Sequence, residues 1–239
     1  MSCNGNSSQS SGDSLEVVKG SHLFGESATG WVLGEAVRHL NSADKEGEAS
    51  YQRSVEQLRK CGDDLVETVN GLSRQAGLGG SDLRWSLLYV MGDAGKANAA
   101  PFLVASALEK LPERNPDEGC ESVRDSEMLV RTMAIQAIGS VAKRHPEVAE
   151  AVLEVVKAQP ARPLLIEAVK VAVELGLRDQ VRKVLSEKEH WILDIRRAHV
   201  QEVFANPERE DGKERSFSPP KFGVHYTAPK VACCTTKEK

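Results

Sequence analysis

The sequence predicts an all-α protein, and three observations favour this fold class. Between residues 50 and 205 the apolar residues recur with the 3.6-residue period of a helix, and no segment there alternates with the period of two typical of a strand. Three of the apolar helices carry a glycine at their end or in their last turns, at Gly92, Gly139 and Gly176. Aromatic residues make up only 5% of the chain, so we expect an aliphatic core rich in alanine.

The predicted helices follow one another in pairs, and each boundary has a residue that favours it. Asp63 is a credible N-cap, Pro101 fits a first helical turn, and Pro146 restarts the chain after His145. The stretch 42–50 breaks the helical pattern, "GLGGS" at 77–81 is a turn, and the loop 112–122 is rich in proline and charge. The predicted helices span 31–40, 51–61, 63–76, 82–95, 98–111, 128–144, 146–158, 162–176, 178–188 and 190–204.

The stretch from Met128 to Ala158 shows most clearly how these helices pack. Ile135 lies off the apolar stripe of its helix, which predicts that a second face of this helix is also covered. A single hairpin cannot bury two faces, so we expect it to pack between neighbouring pairs. The apolar stripe consists of Leu129, Met133, Ala134, Ala137, Ile138, Val141 and Ala142. The opposite, exposed face of the following helix carries Glu147, Glu150, Glu154 and Lys157.

Helix pairs that recur at intervals of about 40 residues are typical of repeat proteins. The three glycines are 47 and 37 residues apart, and Arg84 and Arg131 each stand eight residues before one of them. The segments "VRTMAIQAIGSVA" and "LRWSLLYVMGDAG" resemble the first helix of a HEAT repeat. The resemblance covers roughly residues 50–205 and implies a right-handed α-solenoid of about four antiparallel helix pairs. In the fourth pair Leu165 and Ile166 stand where the arginine is expected.

Several conspicuous side chains have a structural interpretation. Arg84 and Arg131 are expected to bond a neighbouring turn or an acidic side chain, because a repeated arginine in such a protein usually ties adjacent helices together. Asp93 is expected to cap a helix end. Trp85 and Trp191 lie on apolar stripes and are expected to belong to the core.

Composition predicts three regions: a disordered segment 1–27, a helical repeat domain 28–206 and a flexible tail 207–239. The first and last are polar and rich in serine, proline or lysine. No signal peptide or run of 18 apolar residues is apparent. The five cysteines show neither CxxC spacing nor an even number. We therefore expect a cytoplasmic protein with reduced thiols.

Neither the motifs nor the charge predicts catalysis. The six histidines are scattered, and there is no HExxH, nucleophile elbow or phosphate-binding loop in context. We therefore predict no catalytic residue, no cofactor and no metal site. The net charge of -4 argues against nucleic acid as a partner.

The remaining function is recognition of another protein, as an interaction or scaffold module. HEAT-like solenoids present a long surface formed by the second helix of each pair. Two alternatives stay open: a HEAT-like lyase that binds a pigment or another small molecule, and a self-assembling structural protein. The residues predicted to line the binding surface are Asn98, Glu109, Glu147, Glu150, Glu154, Arg178, Arg182 and Lys183.

Overall fold

The computed structural model describes residues 24–25, 27–40, 42, 44–114, 122–158 and 160–195, and every regular element in these ranges is helical. The predicted all-α class is therefore confirmed for the described part of the chain. The predicted tail 207–239 and most of the segment 1–27 lie outside it. The α-helices are α1 (Ala28–His39), α2 (Lys45–Lys60), α3 (Asp64–Ala76), α4 (Ser81–Ala94), α5 (Ala100–Leu108), α6 (Val123–Arg144), α7 (Glu150–Lys157), α8 (Arg162–Glu174) and α9 (Arg178–Val184).

Short polar side chains begin several of these helices. Asp44 accepts a hydrogen bond from the backbone N–H of Gly47 at 2.7 Å and starts α2, which is six residues longer at its N-terminus than predicted. Ser122 starts α6 by accepting from the N–H of Asp125 at 3.1 Å. These bonds satisfy donors that have no partner inside the helix. The sequence signal at 42–50 thus marked a helix start rather than a longer break.

The helices pack as two sets. In the first set α2 packs on α4, α4 on α6 and α6 on α8; in the second set α5 packs on α7 and α7 on α9. Helix α6 also packs against α5 and α7. Both Ile135 and Ile138 of α6 are fully buried, so two faces of this helix are covered, as predicted.

Two of the three spaced glycines allow close helix approach, and the third does not. A Cβ atom on Gly92 would lie 2.9 Å from the Cα of Ala137, and one on Gly139 would lie 2.6 Å from a Val171 methyl. Gly176 instead follows α8 with a φ of 79° and open space around it. It ends the helix, because a left-handed residue there lets the next N–H groups reach back to the last turn.

This packing register identifies the residue of α8 that corresponds to the two buried glycines. Gly92 contacts Ala137, which lies two positions before Gly139, and Gly139 contacts Val171. We apply the same offset of two positions to α8. Val173, two positions after Val171, therefore occupies this site in α8. Counting eight residues back from Val173 reaches Leu165, which is where the sequence lacks the repeated arginine.

Three predictions about individual segments are wrong. Leu129, placed on the buried stripe of α6, is 63% exposed, and Trp191, placed in the core, is 46% exposed. Trp85, by contrast, is partly buried and packs against the core. The predicted helix 190–204 is replaced in its described part by 3-10 turns at Glu187–Asp194, with extended backbone at Ile195. Its remaining residues lie outside the described part.

Candidate protein-binding surface

The eight predicted surface residues lie on the second set of helices or on the turns that adjoin it. Asn98 and Glu109 flank α5, Glu147 precedes α7, and Glu150 and Glu154 belong to it. The three basic residues lie on α9: Arg178, Arg182 and Lys183. All eight are at least partly exposed. Four of them form no side-chain hydrogen bond or ion pair with a described residue: Glu150 and Glu154 on α7, and Arg182 and Lys183 on α9.

Helix α7 presents an acidic stripe. Its buried residues, among them Val152 and Val156, face the core, so Glu147, Glu150 and Glu154 project from the other side at helical spacing. Glu147 lies 3.2 Å from the His145 imidazole. No described residue forms an ion pair with Glu150 or Glu154. Two carboxylates thus remain available to a partner.

The neighbouring helix α5 presents an apolar stripe that the sequence interpretation missed. Its nine residues, "APFLVASAL", include no charged side chain, yet only Leu103 and Ala107 are buried. Pro101, Ala105 and Leu108 are exposed at spacings of four and three residues, which places them on one face of the helix. The sequence of α5 already indicated such a stripe, because a helix without charged residues needs other structural elements packed against every side.

The residues that flank this apolar stripe already have partners. Asn98 donates to the carboxylate of Asp63, which therefore stands at the start of α3 without capping it. Glu109 accepts from Arg84 at 2.8 Å while remaining half exposed. Both side chains help to position α5. They are therefore less available to a partner than the sequence analysis predicts.

A buried ion-pair network holds the C-terminal end of α5. Arg131 is fully buried and donates to the backbone carbonyls of Glu109 at 2.7 Å and Lys110 at 2.9 Å. These carbonyls follow the last turn of α5, where a cation is favoured by the helix dipole. Glu127, also fully buried, accepts from Arg84 and from Arg131, each at 2.6 Å.

The network ties three helices together and explains the spacing of the two arginines. Arg84 comes from α4, Arg131 and Glu127 from α6, and Glu109 follows α5. Two guanidinium groups face two carboxylates, one of them on the half-exposed Glu109, so the network as a whole carries no net charge. The predicted structural role of both arginines is confirmed. Glu127 was missed, although an acid four residues before a repeated arginine is a readable signal.

Helix α9 adds a basic end to the second set of helices. Arg178 donates to the carbonyl of Leu193 at 2.8 Å and to the carboxylate of Asp194 at 2.6 Å. The exposed side chains of Arg182 and Lys183 form no ion pair with a described residue. The outward side is apolar on α5 and mainly acidic on α7, which ends at the exposed Lys157. On α9 the exposed Arg182 and Lys183 outnumber the exposed Asp179.

Asp93, predicted to cap a helix, instead holds a buried hydroxyl. Its carboxylate accepts from the Tyr51 hydroxyl at 2.7 Å. Burial raises the pKa of Tyr51 well above its usual range, and the hydrogen bond to Asp93 and its negative charge raise it further. Burial likewise raises the pKa of Tyr89. The hydrogen bond between Tyr51 and Asp93 fastens α2 to α4.

A surface groove of about 250 Å³ lies between the first turns of α4 and α6. Trp85 forms one wall and stacks on Tyr89 with ring centroids 5.4 Å apart. The groove is smaller than the roughly 300–1,000 Å³ typical of small-molecule sites. Its lining residues are Ser81, Asp82, Trp85, Ser126, Leu129 and Val130.

The described part of the chain contains no group of three or more histidine, cysteine, aspartate or glutamate side chains placed to hold a metal ion. None of its helices is long and apolar enough to cross a membrane. Comparisons of the chain with models of known families, with curated proteins and with solved structures gave no significant match.

Proposed function

We propose that the helical domain is a non-enzymatic protein-binding module that acts in the cytoplasm as an interaction or scaffold unit. The observation that carries this proposal is the outward side of α5. Pro101, Ala105 and Leu108 leave an apolar stripe exposed, next to a helix whose Glu150 and Glu154 form no ion pair with a described residue. Contiguous exposed apolar surface with a polar margin is typical of protein-protein interfaces.

The order of packing supports a HEAT-like α-solenoid as the framework of this module. The first helices α4, α6 and α8 pack in succession, and so do the second helices α5, α7 and α9. Such stacking is what a solenoid of helix pairs requires, since each pair covers its faces only against its neighbours. The repeated contacts of Gly92 and Gly139 with the next helix support the same proposal.

The two other functions have weaker support. A lyase that encloses a pigment needs a larger cavity than the groove beside Trp85. Self-assembly through the ends of the repeat is favoured by two exposed tryptophans, Trp31 at 61% and Trp191 at 46%. Arg162 lies over the Trp191 ring at 5.3 Å, however, and so already covers one side of that ring.

The test is quantitative affinity capture with matched surface variants. Ala105→Gln with Leu108→Gln removes apolar surface from α5 and keeps residues that favour a helix. Leu78→Gln is the control, because Leu78 is 51% exposed and lies in a turn before α4. We expect a specific partner to be lost with the α5 variant and retained with the control. Equal capture by both variants and by the wild type would exclude the α5 surface.

A further inference from the structure

We propose that the surface of α5 and α7 binds a short, basic amphipathic helix of another protein. This inference rests on the proposed protein-binding function and names the chemistry of its partner. The starting point is the contrast between two neighbouring helices. Helix α5 has no charged residue, whereas α7 carries Glu150 and Glu154 without any ion pair to a described residue.

The charge of the partner follows from the cost of burying carboxylates. Any segment that covers the apolar stripe of α5 removes water from the adjacent stripe of α7. Carboxylates that lose water without gaining a cation weaken binding strongly. A partner with lysine or arginine along the edge that faces α7 avoids this cost, and an acidic partner is repelled.

The form of the partner follows from spacing. Pro101 and Leu108 are seven residues apart, about 10 Å along the helix axis. Apolar residues at i, i+4 and i+7 of a second helix match this span. Helices α5 and α7 pack against each other, and a third helix can lie across two neighbouring helices whose axes are about 8–10 Å apart. The occupant therefore needs only about three turns.

Helix α9 limits where the cations of the partner lie. Arg182 and Lys183 are exposed beyond the acidic stripe and have no described carboxylate partner. A basic segment that extended past α7 would meet these like charges. Attraction over α7 and repulsion over α9 together select both the composition of the partner and its position.

The test uses three synthetic helical peptides of about 16 residues. The first carries leucines at i, i+4 and i+7 and arginines along one edge. The second replaces the arginines with glutamate, and the third replaces the leucines with serine. Binding to the full chain is measured by fluorescence anisotropy at about 50 and about 300 mM salt.

We expect the arginine peptide to bind with a Kd of the order of tens of micromolar and to weaken at the higher salt concentration. The glutamate and serine peptides should bind at least about tenfold more weakly. The double substitution Glu150→Gln with Glu154→Gln should weaken binding of the arginine peptide roughly fivefold. The control Glu46→Gln with Glu48→Gln removes the same charge from α2 and should leave the affinity for this peptide unchanged.

Equal binding of the arginine and glutamate peptides would overturn the inference, and so would no binding of the arginine peptide up to about 1 mM. A carbodiimide cross-link from Glu150 or Glu154 to Lys221 that blocks the peptide would assign the surface to the chain's own tail, and a cross-linked dimer would assign it to a second copy. Either result would overturn the inference that this surface binds another protein.

A separate outcome distinguishes this inference from the proposed function. If Ala105→Gln with Leu108→Gln abolishes capture of a cellular partner while Glu150→Gln with Glu154→Gln does not, the protein-binding function stands and the basic partner is excluded. If neither pair of substitutions alters capture, the proposed function fails as well.

Discussion

Helices α5 and α6 reverse the usual distribution of polar and apolar residues. Helix α6 buries Glu127 and Arg131 completely, whereas the nine-residue α5, without a single charge, exposes Pro101, Ala105 and Leu108. The difference shows that burial here depends on available partners. Glu127 finds two guanidinium groups, while no described element covers the outward side of α5. A structural role therefore belongs to charged residues of α6, whereas the binding role that we propose belongs to apolar residues of α5.

The largest effect expected is from breaking the network of α6. Arg131→Ala leaves Glu127 buried beside a single arginine and frees two carbonyls after α5. We expect a loss of about 3–5 kcal/mol in unfolding free energy. The control is Arg178→Ala, since Arg178 is 41% exposed and should cost at most about 1 kcal/mol. Urea unfolding that gives equal losses for the two variants would remove the distinction between buried and exposed arginines.

Two further substitutions test the apolar packing of α6. Ile138 is fully buried, so Ile138→Ala should cost about 2–5 kcal/mol. Gly139→Leu should cost about 1–3 kcal/mol or more, because even a Cβ at this position would press on Val171. Thermal unfolding of both variants measures these costs. A neutral Gly139→Leu would contradict the close approach of α6 and α8.

A pH series tests the other buried polar contact. The folded-state pKa of Tyr51 is raised, so the folded chain keeps this proton after the unfolded chain loses it near pH 10. Stability should therefore be unaffected by Tyr51 below about pH 9 and fall by up to about 1.4 kcal/mol per pH unit above about pH 10.

Tyr51→Phe supplies the control for this decline. It removes the bond to Asp93 and should cost about 1 kcal/mol at neutral pH. It should also make the alkaline decline shallower than in the wild type, as measured by urea unfolding from pH 8 to 11. Parallel declines would show that Tyr51 does not titrate differently in the folded chain.

The smallest effect is expected on α7. Glu150→Ala removes an exposed side chain without a described ion-pair partner, so stability should change by no more than about 0.5 kcal/mol. Leu108→Gln, partly exposed on α5, should also change stability far less than Ile138→Ala. Unfolding curves of these variants beside Ile138→Ala test this. A loss at Glu150 that equals the loss at Ile138 would mean that the faces of α7 are assigned wrongly.

The sequence by itself determined the helical class, most helix positions and the buried side of α6 and α7. These properties depend on apolar residues at helical spacing and on local signals such as Pro101 in the first turn of α5, which act over a few residues. The structural role of Arg84 and Arg131 was also predictable, because both recur at one position of a repeated helix.

Only the tertiary structure decided which charges have partners and which apolar residues lack cover. Glu127 lies 43 residues from Arg84 in the chain, and Arg131 reaches carbonyls 21 and 22 residues away. Leu129 and Leu108 are exposed although both belong to helices that pack into the core. Such contacts join distant parts of the chain, and local periodicity does not record them, which is why the sequence placed Leu129 in the core and overlooked the apolar stripe of α5.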